Sequence, residues 1–267
     1  MIVFPNAKIN LGLNIVEKRP DGFHELETCF YPAPWREALE IVESDRTVVT
    51  TSGIEIPDDG ENIVLRAYYL LKDDYELPPV HIHLHKVIPI GAGLGGGSAD
   101  AAFTLMLLNT LYSLNINHDD LVKYAVRLGA DCAFFINNRP LLASGIGEQF
   151  TDLDISLSDK FIILVYPNIH IPTKEAYSSI DPKMPSVRIN EILVNADIQD
   201  WKELLKNDFE KPLFKKHLIL KDIKANLYNA GAIYASMSGS GSCIYGLFDE
   251  DPALIFPENY KVCSGRL

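Results

Sequence analysis

The chain has 267 residues, 47% hydrophobic and 22% charged, which is ordinary globular composition and enough for two modest domains or one large one. Its 24 Lys and Arg against 36 Asp and Glu give a net charge of −12. No basic patch interrupts that balance, so nucleic acid and anionic membranes are not expected partners, and an anionic substrate would have to be held locally by a loop and a few cations.

Met1-Ile2-Val3-Phe4 runs at once into Pro5, Asn6 and Lys8, unlike a secretory signal, and no apolar run nears the roughly 18 residues of a membrane span. Cys29, Cys132, Cys243 and Cys263 are scattered without C-x-x-C spacing, as reduced thiols would be. A cytoplasmic location is the expectation.

Residues 2–16 read as a strand with Lys8 and Asn10 on one face and Ile9 and Leu11 on the other. That polar face is either solvated or functional. Arg19-Pro20-Asp21-Gly22 is a turn signal, and Phe23-His24 follows directly. An aromatic and a histidine held there could stack on and hydrogen-bond a flat ring, or simply form an exposed turn. Strands are expected at 25–31, 38–43 and 47–51, a turn at Pro57-Asp58-Asp59-Gly60, and a helix over 62–72 with Ile63, Ala67 and Leu70 at helical spacing. In the next strand, His81, His83 and His85 share one face. Three histidines at period 2 could bind a metal, but no carboxylate ligands are evident nearby, and a solvated outer face with Val80, Ile82 and Leu84 inward is expected.

Ile88 to Asp100 follows, holding five of the 17 glycines between that strand and an apolar helix. Glycine lets backbone pass close to a ligand, and a helix start offers unpaired N–H groups and a positive dipole end, so together they make an anion site, most often for phosphate. A P-loop would need a lysine that does not come after Gly96-Gly97. Gly91, Gly93 and Gly96 fit a dinucleotide fingerprint, but Asn115-Ile116-Asn117-His118-Asp119 stands where its acidic strand end should be. A phosphate loop of another lineage is the third reading.

Residues 117–128 read as a helix capped by Asn117, with Asp119 and Asp120 in its first turn and Leu121, Tyr124, Ala125 and Leu128 as its apolar stripe, closed by Gly129. Asp131 then leads into Cys132-Ala133-Phe134-Phe135-Ile136, so its carboxylate should be partly buried and need partners, or cap the next turn. A hairpin is expected at 141–150, a polar linker at 151–159, and a domain boundary between 1–152 and 153–267. Residues 160–166 should be a buried strand. Thr173 should cap a helix whose face it shares with Tyr177, and helices are expected at 201–205 and 218–229. Residues 233–248 read as strand, Ser/Gly loop, strand, with Ser238, Gly239, Ser240 and Gly241 forming a second phosphate loop or a plain hairpin turn.

Five stretches together resemble the GHMP kinase superfamily. They are Pro5-Asn6-Ala7-Lys8-Ile9-Asn10-Leu11, Arg19-Pro20-Asp21-Gly22-Phe23-His24, Ile88-Pro89-Ile90-Gly91-Ala92-Gly93-Leu94-Gly95-Gly96-Gly97-Ser98-Ala99-Asp100-Ala101-Ala102, Leu128-Gly129-Ala130-Asp131-Cys132-Ala133-Phe134-Phe135 and Ser238-Gly239-Ser240-Gly241-Ser242. The glycine loop carries the superfamily likeness. The Asp-Gly-Phe-His turn is similar to the branch whose substrate carries cytidine diphosphate. The family more often has tyrosine at Phe23 and proline at Ala133; Phe23 keeps the ring but loses the hydroxyl.

The resemblance implies an α+β fold with a ribosomal S5 domain 2-like N-terminal domain, a ferredoxin-like C-terminal domain and a cleft between them. It implies an ATP-dependent kinase using Mg²⁺ that phosphorylates the 2-hydroxyl of a cytidyl-diphosphate methylerythritol. Its partner would be that small molecule, with the chain a monomer or weak homodimer. Pro89, Ile90, Gly91, Ala92, Gly93, Leu94, Gly95, Gly96, Gly97, Ser98 and Ala99 would hold the ATP phosphates, with Ser98 near a phosphate or Mg²⁺. Asp131 would be the base, Lys8 its cationic partner, and Asn10 would orient the pair. His24 would read the cytosine edge between the rings of Phe23 and Tyr177, Thr173 would face the substrate hydroxyls or diphosphate, and Asn62 and Lys86 would lie near the adenosine. A kinase of another alcohol and a non-catalytic nucleotide-binding module are the rivals. Phe23-His24 argues against the first and the Lys8 and Asp131 pair against the second; a nicotinamide dehydrogenase is more distant.

Overall fold

The computed structural model describes residues 1–57 and 62–267, so the turn expected at 57–60 falls, beyond Pro57, outside the described residues. The chain forms two compact units, neither of them one continuous stretch. The first comprises Met1–Ala7, Trp35–Ile90 and Gly95–Asn138; the second comprises Lys8–Pro34, Gly91–Leu94 and Arg139–Leu267.

The first unit has a sheet in the order Ile2–Val3, Ala38–Glu43, Val80–Lys86, Val48–Gly53, antiparallel except for the last pair. Period-2 alternation places Val80, Ile82 and Leu84 inward, as expected. The three histidines lie on the opposite, exposed face, where they meet the neighbouring strand: Thr50 Oγ1 lies 2.8 Å from His81 Nε2 and from His83 Nδ1, and Ser52 Oγ lies 3.0 Å from His83 Nε2 and 2.9 Å from His85 Nδ1. The helix Gly96–Leu111 is buried along most of its surface, and its small residues Ala99, Ala101 and Ala102 let the helices Ile63–Tyr75, His118–Leu128 and Cys132–Asn137 pack close around it. Asn117 caps His118–Leu128 as expected, its Oδ1 accepting from Asp120 N at 3.0 Å.

The second unit has two four-stranded sheets. One runs Asn6–Lys18, His24–Arg36, Leu141–Ser144, Gln149–Asp152, its first strand entering from Asn6 and Ala7 of the first unit. The other, wholly antiparallel, runs Tyr234–Met237, Ile244–Phe248, Phe161–Tyr166, Lys261–Arg266. The helices Thr173–Ser178, Ile189–Asn195, Trp201–Leu204, Glu210–Lys216 and Leu218–Asn229 accompany them. Leu13, Ile15, Val165, Phe209, Leu213, Ile223, Leu227 and Ile244 fill one core.

Four expectations change. The first strand breaks at Phe4-Pro5 into Ile2–Val3 and Asn6–Lys18, because proline has no N–H for a ladder. In Ile63–Tyr75 the buried residues are Val64, Ala67, Tyr68 and Leu71, so the stripe is turned by about one residue from Ile63 and Leu70. Thr173 is the first helical residue after Pro172, and its side chain makes no capping bond. The helices Ile189–Asn195 and Glu210–Lys216 and the strand Lys261–Arg266 are additions to the elements expected from the sequence.

Candidate active site

The strand Asn6–Lys18 is buried on both faces up to Val16, which excludes the solvated reading of its polar face. Lys8 and Asn10 are only 4% and 2% exposed. An ammonium taken out of water needs acceptors. Lys8 Nζ donates to Asn10 Oδ1 at 2.6 Å, and Asn10 Nδ2 donates to Thr28 Oγ1 at 2.9 Å. Thr28 Oγ1 in turn donates to the Gly12 carbonyl at 2.5 Å. The chain of donors fixes which way the Asn10 amide points and presents its oxygen to the ammonium. Lys8 Nζ also lies 4.8 Å from the centre of the Phe30 ring.

Gly91–Leu94 lie in the second unit, beside this strand. Leu94 O accepts from Lys8 N at 2.9 Å, Ala92 O from Cys243 N at 3.1 Å, and Gly93 O from Ser238 Oγ at 2.8 Å. The loop carbonyls thus hold it to the protein. Its N–H groups do the reverse: among the described residues, those of Gly91, Ala92, Gly93, Leu94 and Gly95 donate to nothing in the protein. Gly91, Gly93 and Gly95 have φ of +67°, +79° and +71°, a backbone that side chains resist. Gly95 leads directly into Gly96–Leu111, whose first turn adds its own unpaired N–H groups. Successive free amides running into a helix start make an anion cradle.

The loop Ser238–Gly241 lies against the first one. Ser238 Oγ, besides its bond to Gly93 O, is 3.4 Å from Asn10 Oδ1. Asn207 holds the loop from behind, its Nδ2 donating to Met237 O at 2.7 Å and Gly239 O at 2.9 Å. The sequence reading missed Asn207, because its partners are main-chain atoms some 30 residues away that no periodicity reveals.

The turn at Arg19–Gly22 forms as expected: Arg19 N donates to Phe23 O at 2.8 Å, and Phe23 N donates to Asp21 Oδ1 at 3.1 Å. Phe23 is left 57% exposed. His24 and Tyr177 stack with ring centres 4.9 Å apart and planes 28° apart, and Tyr177 meets Phe209 edge-on at 4.9 Å. Burial, helped by Lys18, lowers the His24 pKa, which favours the neutral ring with one donor and one acceptor. Thr173, exposed, stands one helical turn before Tyr177.

In the first unit, Asp131 is half-buried just ahead of Cys132–Asn137, and its side chain does not cap that helix. Burial pushes the Cys132 thiol up to about 11, opposed by the nearby Ser98 side chain, which places Ser98 next to the segment Asp131 heads. Asn62 caps Ile63–Tyr75, its Oδ1 accepting from Val64 N at 3.1 Å. Lys86 is only 3% exposed, because period 2 puts it on the core face of its strand. Its Nζ lies 2.6 Å from Glu37 Oε1 and 2.7 Å from Asp100 Oδ2. Burial pushes the Asp100 carboxyl well above the usual carboxylate range against the pull of Lys86. Glu37 Oε2 also accepts from Val87 N and Ile88 N, each at 3.1 Å, so the trio braces the entry to the glycine loop.

Comparison with known proteins identifies the family. The family described as "GHMP kinases N terminal domain" matches residues 62–139, and "GHMP kinases C terminal" matches residues 189–259. A Parabacteroides distasonis protein named 4-diphosphocytidyl-2-C-methyl-D-erythritol kinase is 53% identical, covering 94% of this chain and 92% of its own. A Bacteroides thetaiotaomicron protein of the same name is 50% identical over the whole of both chains. A solved 4-(cytidine 5'-diphospho)-2C-methyl-D-erythritol kinase superposes with a TM-score of 0.77 at 32% identity, covering 92% of this chain and 90% of that one. The Methanococcus jannaschii mevalonate kinase, at 15% identity and a TM-score of 0.73 over 100% of this chain and 98% of its own, shares the fold.

Proposed function

The chain belongs to the GHMP kinase superfamily, and from that premise we infer that it is an ATP-dependent kinase phosphorylating the 2-hydroxyl of 4-diphosphocytidyl-2-C-methyl-D-erythritol, in the methylerythritol phosphate route to isoprenoid precursors. The observation that carries the substrate is the His24–Tyr177 ring stack beside exposed Phe23, an aromatic, hydrogen-bonding surface for which a cytosine has a use and a small alcohol has none.

Phosphoryl transfer asks a protein mainly for positioning and charge stabilisation. The N–H groups of the 89–99 loop hold the triphosphate, and the Ser238–Gly241 loop adds donors beside them. Asp131 accepts the proton of the attacking hydroxyl. Lys8, oriented by Asn10, stabilises charge on the transferring phosphoryl group. Phe23, His24 and Tyr177 hold the cytosine, and Thr173 faces the hydroxyls or diphosphate. Lys86 and Asn62 act on the nucleotide by shaping the loop and helix around it. Mg²⁺ would arrive on the triphosphate, where Ser98, at the start of the helix that follows the glycine loop, would be the side chain to hold it. Bound there, Mg²⁺ would neutralise phosphate charge.

The direct test is ADP release with Mg-ATP and, in parallel, the cytidyl substrate, homoserine, mevalonate and galactose. Turnover with the cytidyl substrate alone is expected. Turnover with another alcohol would discard the cytosine surface, and silence across the panel with ATP still bound would discard the kinase.

His24→Ala should raise KM for the cytidyl substrate about tenfold, the order of one lost hydrogen bond and stacking contact, with KM for ATP unchanged. Because the His24 pKa is lowered, the neutral ring prevails down to below the usual histidine range; protonation then replaces its acceptor with a second donor. KM for the cytidyl substrate should therefore rise as pH falls through that lowered pKa, and this rise should vanish in the variant. An unchanged KM would remove His24 from base recognition.

A further inference from the structure

His170 sits in the segment between Phe161–Tyr166 and Thr173–Ser178, and neither the motifs nor the roles assigned to the site include it. Its neighbours are tied down. Ile169 O accepts from Ser242 Oγ, and Ile171 is buried with its Cδ1 placed 3.6 Å from where a Cβ on Gly241 would stand. The segment is thereby fixed to the end of the second Ser/Gly loop. His170, between those two anchors, is exposed.

Its ring does not point into open solvent. A Cβ at Gly91 would stand 2.7 Å from both His170 Nδ1 and His170 Cε1, so the imidazole lies directly on the first turn of the glycine loop. Among the described residues, neither ring nitrogen makes a hydrogen bond, and the Gly91 N–H has no acceptor. The contacts of His170's neighbours with the second loop and its own contact with Gly91 thus bring an unengaged imidazole to the place where free backbone donors gather.

We propose that His170 is a nucleotide-binding residue, donating a ring N–H to a phosphate oxygen of the nucleoside triphosphate held by the glycine loop. The proposal rests on the reading of residues 89–99 as the phosphate loop. A hydrogen bond to a charged oxygen is among the stronger kinds, and its loss shows as a change of about tenfold or more in affinity.

The test compares wild type, His170→Ala and His170→Gln in Mg-ATP binding by calorimetry, in steady-state kinetics and in thermal unfolding. His170→Ala should weaken ATP binding and raise KM for ATP about tenfold, with KM for the cytidyl substrate within about twofold and Tm unchanged. His170→Gln, whose side-chain amide can still donate, should recover most of the loss. ATP affinity in His170→Ala within about twofold of wild type would overturn the proposal, as would a rise confined to the cytidyl substrate. Wild-type protein that binds no ATP would instead overturn the phosphate-loop reading, and the role of His170 with it.

Discussion

Asp131→Asn is expected to lower kcat at least ~100-fold, the usual scale for losing a general base, while leaving KM for ATP within a few-fold. Asparagine keeps nearly the shape of aspartate but cannot take up a proton. The backbone at this position is set by its C-terminal neighbours: Cys132, Ala133, Phe134 and Phe135 are fully buried, so the substitution has no route to relax by moving the chain. The carboxylate is not needed as a helix cap, since Cys132–Asn137 starts without one from this side chain, and loss of helix stability therefore offers no alternative explanation of a fall in rate. Steady-state turnover with the cytidyl substrate, read beside the melting temperature, separates the cases. A variant that melts like wild type and turns over near its rate would take Asp131 out of the chemistry.

Much of this site is legible in the sequence because its chemistry is local along the chain. A strand, five glycines and an apolar helix are adjacent by necessity, since an anion cradle is built from consecutive amides. The turn carrying Phe23 and His24 is local for the same reason: Arg19, Asp21 and Phe23 bond one another within a few residues. What escapes a sequence reading is long-range. Asn207 matters through two carbonyls far along the chain, and His170 through a glycine 79 residues earlier. The carboxylate partners of Lys86 escape in the same way: strict alternation puts Val80, Ile82, Leu84 and Lys86 on one face, and a lysine on a core face calls for buried carboxylates, but Glu37 and Asp100 come from elsewhere in the first unit. The return of Gly91–Leu94 to a different compact unit from the residues on either side leaves no mark in composition, because it depends on carbonyls that every residue has.

Gly93→Ala should be among the most damaging single-methyl changes in the chain, and the reason is backbone against backbone. At φ +79° any side chain is strained, which costs about 1–2 kcal/mol. The added Cβ would also stand 2.0 Å from Ser238 O and 2.9 Å from Ser238 C, atoms that cannot rotate away as a side chain could. The two loops must separate, breaking the bond from Ser238 Oγ to Gly93 O, for a further cost of about 1–3 kcal/mol typical of overpacking. The sum predicts a Tm lowered by roughly 5–15 °C. Because a misplacement of positioning groups by about 1 Å can cost about 100-fold, kcat/KM for ATP should fall by at least that much even at temperatures where the variant is folded. Gly97→Ala is the informative contrast. Its Cβ meets no protein atom within 4 Å and its φ is not positive, so Tm should hold. Any loss of ATP affinity at Gly97 would then report contact with the nucleotide itself. Wild-type melting and ATP kinetics in Gly93→Ala would mean that the close approach of the two loops is not what builds the phosphate site.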